Sequence, residues 1–180
     1  KMSKRKGDYI TLEDLTNEVG KDSVRFMMLN RSNDMELDFD FDKVSEKSKD
    51  NPVFYIQYAY ARINSIFKVL KLDLNKKIDV TKDDFELNNY EIEMIRKISE
   101  WPRCIEISLS KLEPHRIPFY LYDLVTLFHS YWNLGKENKD LRFVPENNKL
   151  NYSRLLLLQS LALVIKNGML ILGVSTPKSM

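Results

Sequence analysis

The sequence predicts an all-α protein, a helical bundle preceded by a small helical connector. Three observations carry that expectation. Apolar residues repeat at spacings of three and four, as in Ile117, Leu121, Leu124, Val125, Phe128 and Trp132, the period of a helix with one buried side. Helix start and stop signals punctuate the pattern, notably Asn51-Pro52 and Gly173. Neither a strand-rich region nor a glycine-rich phosphate loop after a strand interrupts it, so helix follows helix.

The elements follow in order. Thr11-Leu12-Glu13-Asp14 is an N-cap with an acid three residues on, opening a short helix that ends at Gly20. A second helix spans about Asp22 to Leu29 and draws apolar surface from Val24, Phe26, Met27 and Met28. Asn30 to Asp42 is turn-rich and acidic. Its alternating Asp38, Asp40 and Asp42 would point one way on an extended segment, but without a histidine or a glycine turn a connector is preferred to a metal site. Asn51-Pro52 opens a helix to about Leu70, since proline suits the first turn. Residues 71–87 form a charged surface loop. Helices from about Asn89 to Ser99 and from Pro102 to Leu112 meet at Trp101-Pro102, and a longer one runs from Pro114 to Leu134. Gly135 to Leu150 is a loop. The last helix, about Tyr152 to Leu172, is apolar nearly all round and is expected to be the central rod of the bundle. Gly173 ends it, and Val174 to Met180 is an exposed tail containing Pro177.

Composition narrows the function classes. The 180 residues are 43% apolar and 30% charged, as in an ordinary folded domain rather than a disordered chain. A formal net charge of +2 provides no broad cationic field, so any nucleic-acid contact must come from a local patch. The single cysteine, Cys104, excludes an internal disulfide and reads as a packed thiol in a reducing, cytoplasmic setting. No signal peptide is visible. The apolar run Leu155–Leu172 is interrupted by Gln159, Ser160, Lys166 and Asn167. A lysine in mid-span costs about 2.5–3.5 kcal/mol on insertion scales, so a bundle helix is preferred to a membrane span.

Two constellations carry candidate chemistry. The first is Lys1-Met2-Ser3-Lys4-Arg5, where two lysines on a short loop could both reach one polyphosphate. By composition alone such a string reads as a solvated loop. The second is a ridge on the helix after Pro52. At roughly 100° per residue, Tyr55, Tyr58 and Arg62 fall within about 60° of one another, beside a buried stripe of Ile56, Ile63, Ile66, Phe67 and Leu70. Two rings and a guanidinium suit unstacked bases, although tyrosines flanking a core also pack their rings and leave their hydroxyls in water. His115 and His129 stand alone on helical segments and read as packing or surface residues.

The order of motifs goes further. Lys1-Met2-Ser3-Lys4 is followed by Thr11-Leu12, Glu18-Val19-Gly20, Arg25-Phe26, Leu37-Asp38-Phe39-Asp40, Asp50-Asn51-Pro52-Val53, Tyr55-Ile56-Gln57-Tyr58-Ala59 with Arg62, and Leu172-Gly173-Val174 before Met180. This series closely resembles the bacterial-type arginyl-tRNA synthetase family, from its K-M-S-K-S loop through a DALR-type anticodon-binding domain. The resemblance covers essentially the whole chain. It implies that residues 1–50 are the signature loop and a connector from the end of a catalytic domain, and that residues 51–180 are the anticodon-binding domain. It implies ATP, with Mg2+, as the cofactor of the full enzyme, bound through Lys1, Met2, Ser3 and Lys4. Lys1 and Lys4 would be catalytic, neutralising charge that develops on the phosphates. It also implies arginine tRNA as partner, contacted by Tyr55, Tyr58, Arg62, Tyr131 and Met180, with weaker contacts from Arg25, Lys21 or Lys6 on the connector.

The chain departs from the family pattern at two places. Arg5 replaces the signature's final serine, and Tyr60 stands where the family usually has histidine. Tyr60 points about 140° from Tyr55 at helical spacing, so a packing change is expected there. The H-I-G-H signature of the nucleotide-binding domain is absent, so the chain is expected to be a fragment, inactive by itself and completed by a catalytic domain of the same protein. It is expected to be cytoplasmic, monomeric and without a membrane partner, and to need no metal of its own. A helical protein-interaction module is the alternative. Its mark would be an exposed apolar stripe away from the Tyr55/Tyr58/Arg62 ridge, and none is evident in the sequence. A related synthetase for cysteine or methionine is disfavoured by the Asp-Asn-Pro-Val and Tyr-Ile-Gln-Tyr strings.

Overall fold

Side-chain caps set where four of the described α-helices begin. In a computed structural model, which describes residues 11–32, 34, 35, 44, 46, 48–79, 87–144 and 150–180, α1 (Leu12–Val19) opens on a capping box. The Thr11 hydroxyl accepts from the Asp14 amide at 3.1 Å, and the Asp14 carboxylate accepts from the Thr11 amide at 3.0 Å, satisfying two amides a helix start leaves orphaned. Gly20 separates it from α2 (Lys21–Leu29). Asn51 caps α3 (Pro52–Val69), accepting from the Phe54 amide, while its own amide group donates to the carbonyls of Val44 and Glu46. That buried asparagine therefore fixes both the start of the helix and the chain leading to it. Asn88 and Glu91 form a second capping box at α4 (Asn89–Ser99).

Helix α5 (Trp101–Ser110) follows α4 at Glu100, with Pro102 in its first turn where a missing amide costs little. Helix α6 spans Arg116–Glu137, starting two residues later and ending three residues later than the sequence suggests. The delay has a physical cause: Arg116 and Ile117 donate to the carbonyls of Glu113 and Pro114, forming tight i→i+3 turns before the helix proper. The extension carries Gly135 inside the helix. A 3-10 turn (Lys139–Leu141) folds back onto that residue, and Arg142 Nε donates to its carbonyl at 2.8 Å. A Cβ at Gly135 would lie 3.4 Å from the Leu141 carbonyl oxygen and 3.5 Å from Arg142 Cα, so this glycine permits close approach rather than ending the helix. Helix α7 (Tyr152–Leu172) is capped by Asn151 and ends at Gly173, whose φ of 68° is left-handed.

The described residues thus form seven α-helices and one 3-10 turn, with no strand among them. Helix α6, not α7, is the central rod, packing against α3, α4, α5, α7 and the 3-10 turn. The core runs between these helices through Ile56, Ile63, Leu121, Leu124, Phe128 and Ile165, all fully buried. Tyr60 is 6% exposed and belongs to the same core, so the departure at that position is a packing feature. Helix α7 is long and apolar enough to cross a membrane by composition, yet one side is packed into the bundle. Its other side exposes Leu156, Leu163 and Leu170, residues seven apart and hence on one face. Uniform hydrophobicity hid this stripe, which the sequence was not expected to show.

Helix α2 is bound to the bundle. Gln57 Nε2 donates to Asp22 Oδ2 at 3.1 Å and to the Ser175 carbonyl at 3.0 Å, while the Ser175 amide and hydroxyl both donate to Asp22. Arg25 Nε donates to the Leu172 carbonyl, serving one of the carbonyls that a helix end leaves open. The segment after Gly173 is therefore less free than the expected tail, for Val174 is 5% exposed and packs in the core.

Candidate functional site

The ridge on α3 meets α6 in a groove of about 330 Å³ lined by Tyr58, Arg62, Trp132, Val144, Ser179 and Met180, among others. Three of the five residues expected to contact RNA are brought together here: Tyr58, Arg62 and Met180. Helical spacing places Tyr58 and Arg62 one turn apart, and Arg62 Nη2 donates to the Tyr58 hydroxyl at 2.7 Å. The Arg62 Cζ lies 4.4 Å from the Tyr58 ring centroid and 4.5 Å from that of Trp132, so the guanidinium is held against two aromatic rings. Met180 is 56% exposed on the rim.

Tyr55 sits lower on the same helix and only half-buried. Its ring contacts Tyr122 and His129, at centroid separations of 5.5 and 4.2 Å. Burial, reinforced by the neighbouring Tyr122 phenol, raises its pKa. Tyr131 is not on the groove. It is 1% exposed, and its hydroxyl donates to Glu91 Oε1 at 2.5 Å while accepting from Asn88 Nδ2 at 3.3 Å. Arg154 Nε reaches the same Glu91 oxygen at 2.5 Å. Burial and the hydrogen bond to Glu91 push the Tyr131 phenol upward. In this arrangement Tyr131 braces α4, α6 and α7 from inside, and one step along α6, about 100° around it, separates it from Trp132.

Two residues of the site were not read in the sequence as site residues. Trp132 supplies a ring over Arg62, and His129, one turn earlier on α6, sits behind it. His129 is 4% exposed; its Nδ1 lies 3.2 Å from Arg62 Nη1 and its Nε2 lies 3.2 Å from the Tyr55 carbonyl oxygen. Since arginine only donates and a carbonyl only accepts, the ring carries its proton on Nε2 and accepts at Nδ1. Burial first, and the Arg62 charge in addition, push its pKa down to about 4, opposed by the bond to the Tyr55 carbonyl. The imidazole is therefore neutral at physiological pH. The spacing His129–Trp132, at i and i+3 on α6, was the available signal, but nothing in the sequence says that it faces Arg62.

Other residues singled out in the sequence are placed as follows. Arg25 is engaged with the Leu172 carbonyl. Gln57 ties α2 to the segment after α7. Cys104 is partly buried, its thiol pKa raised by burial, as expected of a packed thiol. Lys1, Met2, Ser3, Lys4, Arg5 and Lys6 lie outside the described residues, as do Asp38, Asp40 and Asp42. Among the described residues no cluster of three or more histidine, cysteine, aspartate or glutamate side chains could hold a metal.

An all-helical bundle with one arginine held against two aromatic rings defines the class: a helical domain with an aromatic and cationic groove. Residues 56–180 match the family model for the DALR anticodon binding domain, and the chain belongs to that family. Along its whole length it is 56% identical to the arginine–tRNA ligase of Pelagibacter ubique, and 48% identical to that of Rhizobium meliloti. It covers 31% and 32% of those proteins, about a third of each. Among solved structures, an arginyl-tRNA synthetase from Campylobacter jejuni superposes with a TM-score of 0.84 at 26% identity, over 97% of this chain and 36% of that one. The Thermus thermophilus arginyl-tRNA synthetase, with a TM-score of 0.75 at 23% identity over 98% of this chain and 29% of that one, shares the fold.

Proposed function

We propose that this chain binds the anticodon region of arginine tRNA through the groove between α3 and α6, as part of a longer cytoplasmic enzyme that attaches arginine to that tRNA using ATP. The observation that carries this reading is the placement of Tyr58, Arg62, Trp132 and Met180 around one groove in a member of an anticodon-binding family. Exposed aromatic edges can take splayed bases, each stack contributing about 1–3 kcal/mol, and the guanidinium donates to base or phosphate acceptors. Tyr55 would support the floor of the groove. Tyr131 would contribute by holding α6 in place, or by a contact that needs its hydroxyl released from Glu91.

ATP and Mg2+ belong to the longer enzyme on this reading. Lys1 and Lys4 would hold the phosphates, with Met2 and Ser3 shaping the loop between them; charge stabilisation late in the reaction suits mobile lysines. Residues 1–50 would join the catalytic part to the bundle, and the protein would act as a monomer. Titration of arginine tRNA, and of a copy with the middle anticodon base changed, tests the binding function. The expected result is weak binding that drops with the altered base and with Arg62→Ala. Equal binding of both RNAs by both proteins would remove the groove from recognition. The stripe Leu156, Leu163 and Leu170 supports a second reading, a protein-docking face on α7, and that outcome would raise it.

A further inference from the structure

We infer that His129 is a positioning residue for RNA recognition: it acts through Arg62, holding the guanidinium in the orientation that presents its remaining donors to the groove. This rests on the reading of the groove as the RNA site. The guanidinium has one side-chain acceptor on its own helix, the Tyr58 hydroxyl at 2.7 Å from Nη2. That bond alone leaves rotation about the long side chain open, because both residues move with α3. The bond from Nη1 to His129 Nδ1, 3.2 Å long, comes from α6 and closes the second corner of the fork.

His129 is itself fixed. Its other nitrogen donates to the Tyr55 backbone carbonyl. Its ring lies 4.2 Å from the Tyr55 ring, 5.9 Å from the Tyr58 ring at an interplanar angle of 18°, and 5.3 Å from Phe128. A neutral imidazole suits this task better than a carboxylate. It accepts one hydrogen bond without neutralising the arginine, so the positive charge remains available to RNA, whereas an Asp or Glu at that place would pair with it. Preorganised donors also lose less freedom on binding than a free arginine side chain does.

A merely structural histidine would make the same contacts, so the test must separate the two roles. Binding of arginine tRNA is measured for the parent chain, His129→Phe, His129→Asn, Arg62→Ala and the double variant His129→Phe/Arg62→Ala. A thermal melt and a helical circular-dichroism spectrum for each confirm the fold. Asparagine keeps an acceptor near the Nδ1 position, and phenylalanine keeps the ring without it. The expected result is a roughly tenfold loss for His129→Phe, recovery to within about threefold of the parent for His129→Asn, and under twofold further loss when His129→Phe is added to Arg62→Ala. Such non-additivity is the signature of residues acting as one unit. Equal losses from His129→Phe in both backgrounds, or no loss with the fold retained, would overturn the inference while leaving the groove as the RNA site. Parent-like binding by Arg62→Ala would overturn the groove reading itself, and the inference with it.

Discussion

At the scale of single residues, the fold uses buried polar groups whose protonation is decided by their neighbours. His129 shows how this becomes measurable. Its folded pKa is pushed from 6.5 down to about 4, so between those values the unfolded chain binds more protons than the native one. Stability is therefore fully present above pH 6.5 and is lost as pH falls toward 4. The contribution is roughly 3 kcal/mol for a buried group with that shift. Chemical denaturation of the parent and of His129→Asn across this pH range should give curves that converge on acidification. Parallel curves would show that the imidazole does not gain a proton on unfolding. Arg62 depends on the ring of Trp132 in a different way. Trp132→Ala removes one of its two aromatic neighbours, and a cation–π contact of this kind contributes about 0.5–2 kcal/mol. A roughly twofold to thirtyfold loss of arginine-tRNA affinity is expected, with a lower melting temperature because the ring also packs on Phe128 and Phe143; unchanged affinity in the folded variant would dismiss the contact.

At the scale of helices, caps made the fold legible and facing directions did not. Thr11 with Asp14, Asn51 with Pro52, and Gly173 announce helix ends in the sequence because each answers a local need of the backbone. Tyr58 and Arg62 were legible together for the same reason, since residues on one helix keep their spacing. His129 and Trp132 reach Arg62 from another helix, and periodicity does not reveal which helix is opposite. The same limit explains the misassigned central rod: an almost uniformly apolar α7 does not disclose that Leu163 and Leu170 face outward. Gly135 looked like a stop because glycine is a poor helix former, yet the returning 3-10 turn needs its bare Cα. Glu91 joins both levels. One carboxylate oxygen completes the cap of α4, and the other receives Tyr131 from α6 and Arg154 from α7. Glu91 is 0% exposed, and its removal leaves the mostly buried Arg154 guanidinium without a carboxylate, bonded only to the Asp140 and Arg142 carbonyls; breaking a buried ion pair typically costs about 3–5 kcal/mol. Urea unfolding of Glu91→Ala should show a loss of that order, and a change below about 1 kcal/mol would mean that the three helices are not joined there.

At the scale of the whole molecule, α2 and the segment after α7 close the bundle on one side. Gly173 is where they converge. Its left-handed φ disfavours any Cβ by about 1–2 kcal/mol, and a Cβ there would also lie 2.8 Å from Arg25 Cζ. Gly173→Ala should therefore lower stability by about 2–3 kcal/mol, or roughly 4–12 °C in melting temperature for a chain of this size. Adding Arg25→Ala should recover the steric part, so the double variant loses less than the sum of the singles; strict additivity would refute the close approach. Charge is the other property of the whole. With a formal net charge of +2, long-range attraction to RNA is weak, and on the proposed reading binding rests on the groove. Arg62 is its one cation among the described lining residues, and Lys136 and Arg142 line the adjoining hollow. For single-stranded RNA each neutralised phosphate contributes about −0.7 to the slope of log K against log salt. A slope between about −0.7 and −2 is expected for the arginine-tRNA titration. A slope steeper than about −4 would mean that lysines spread over the surface follow the backbone, and that a groove built from two rings and one arginine is not what holds the RNA.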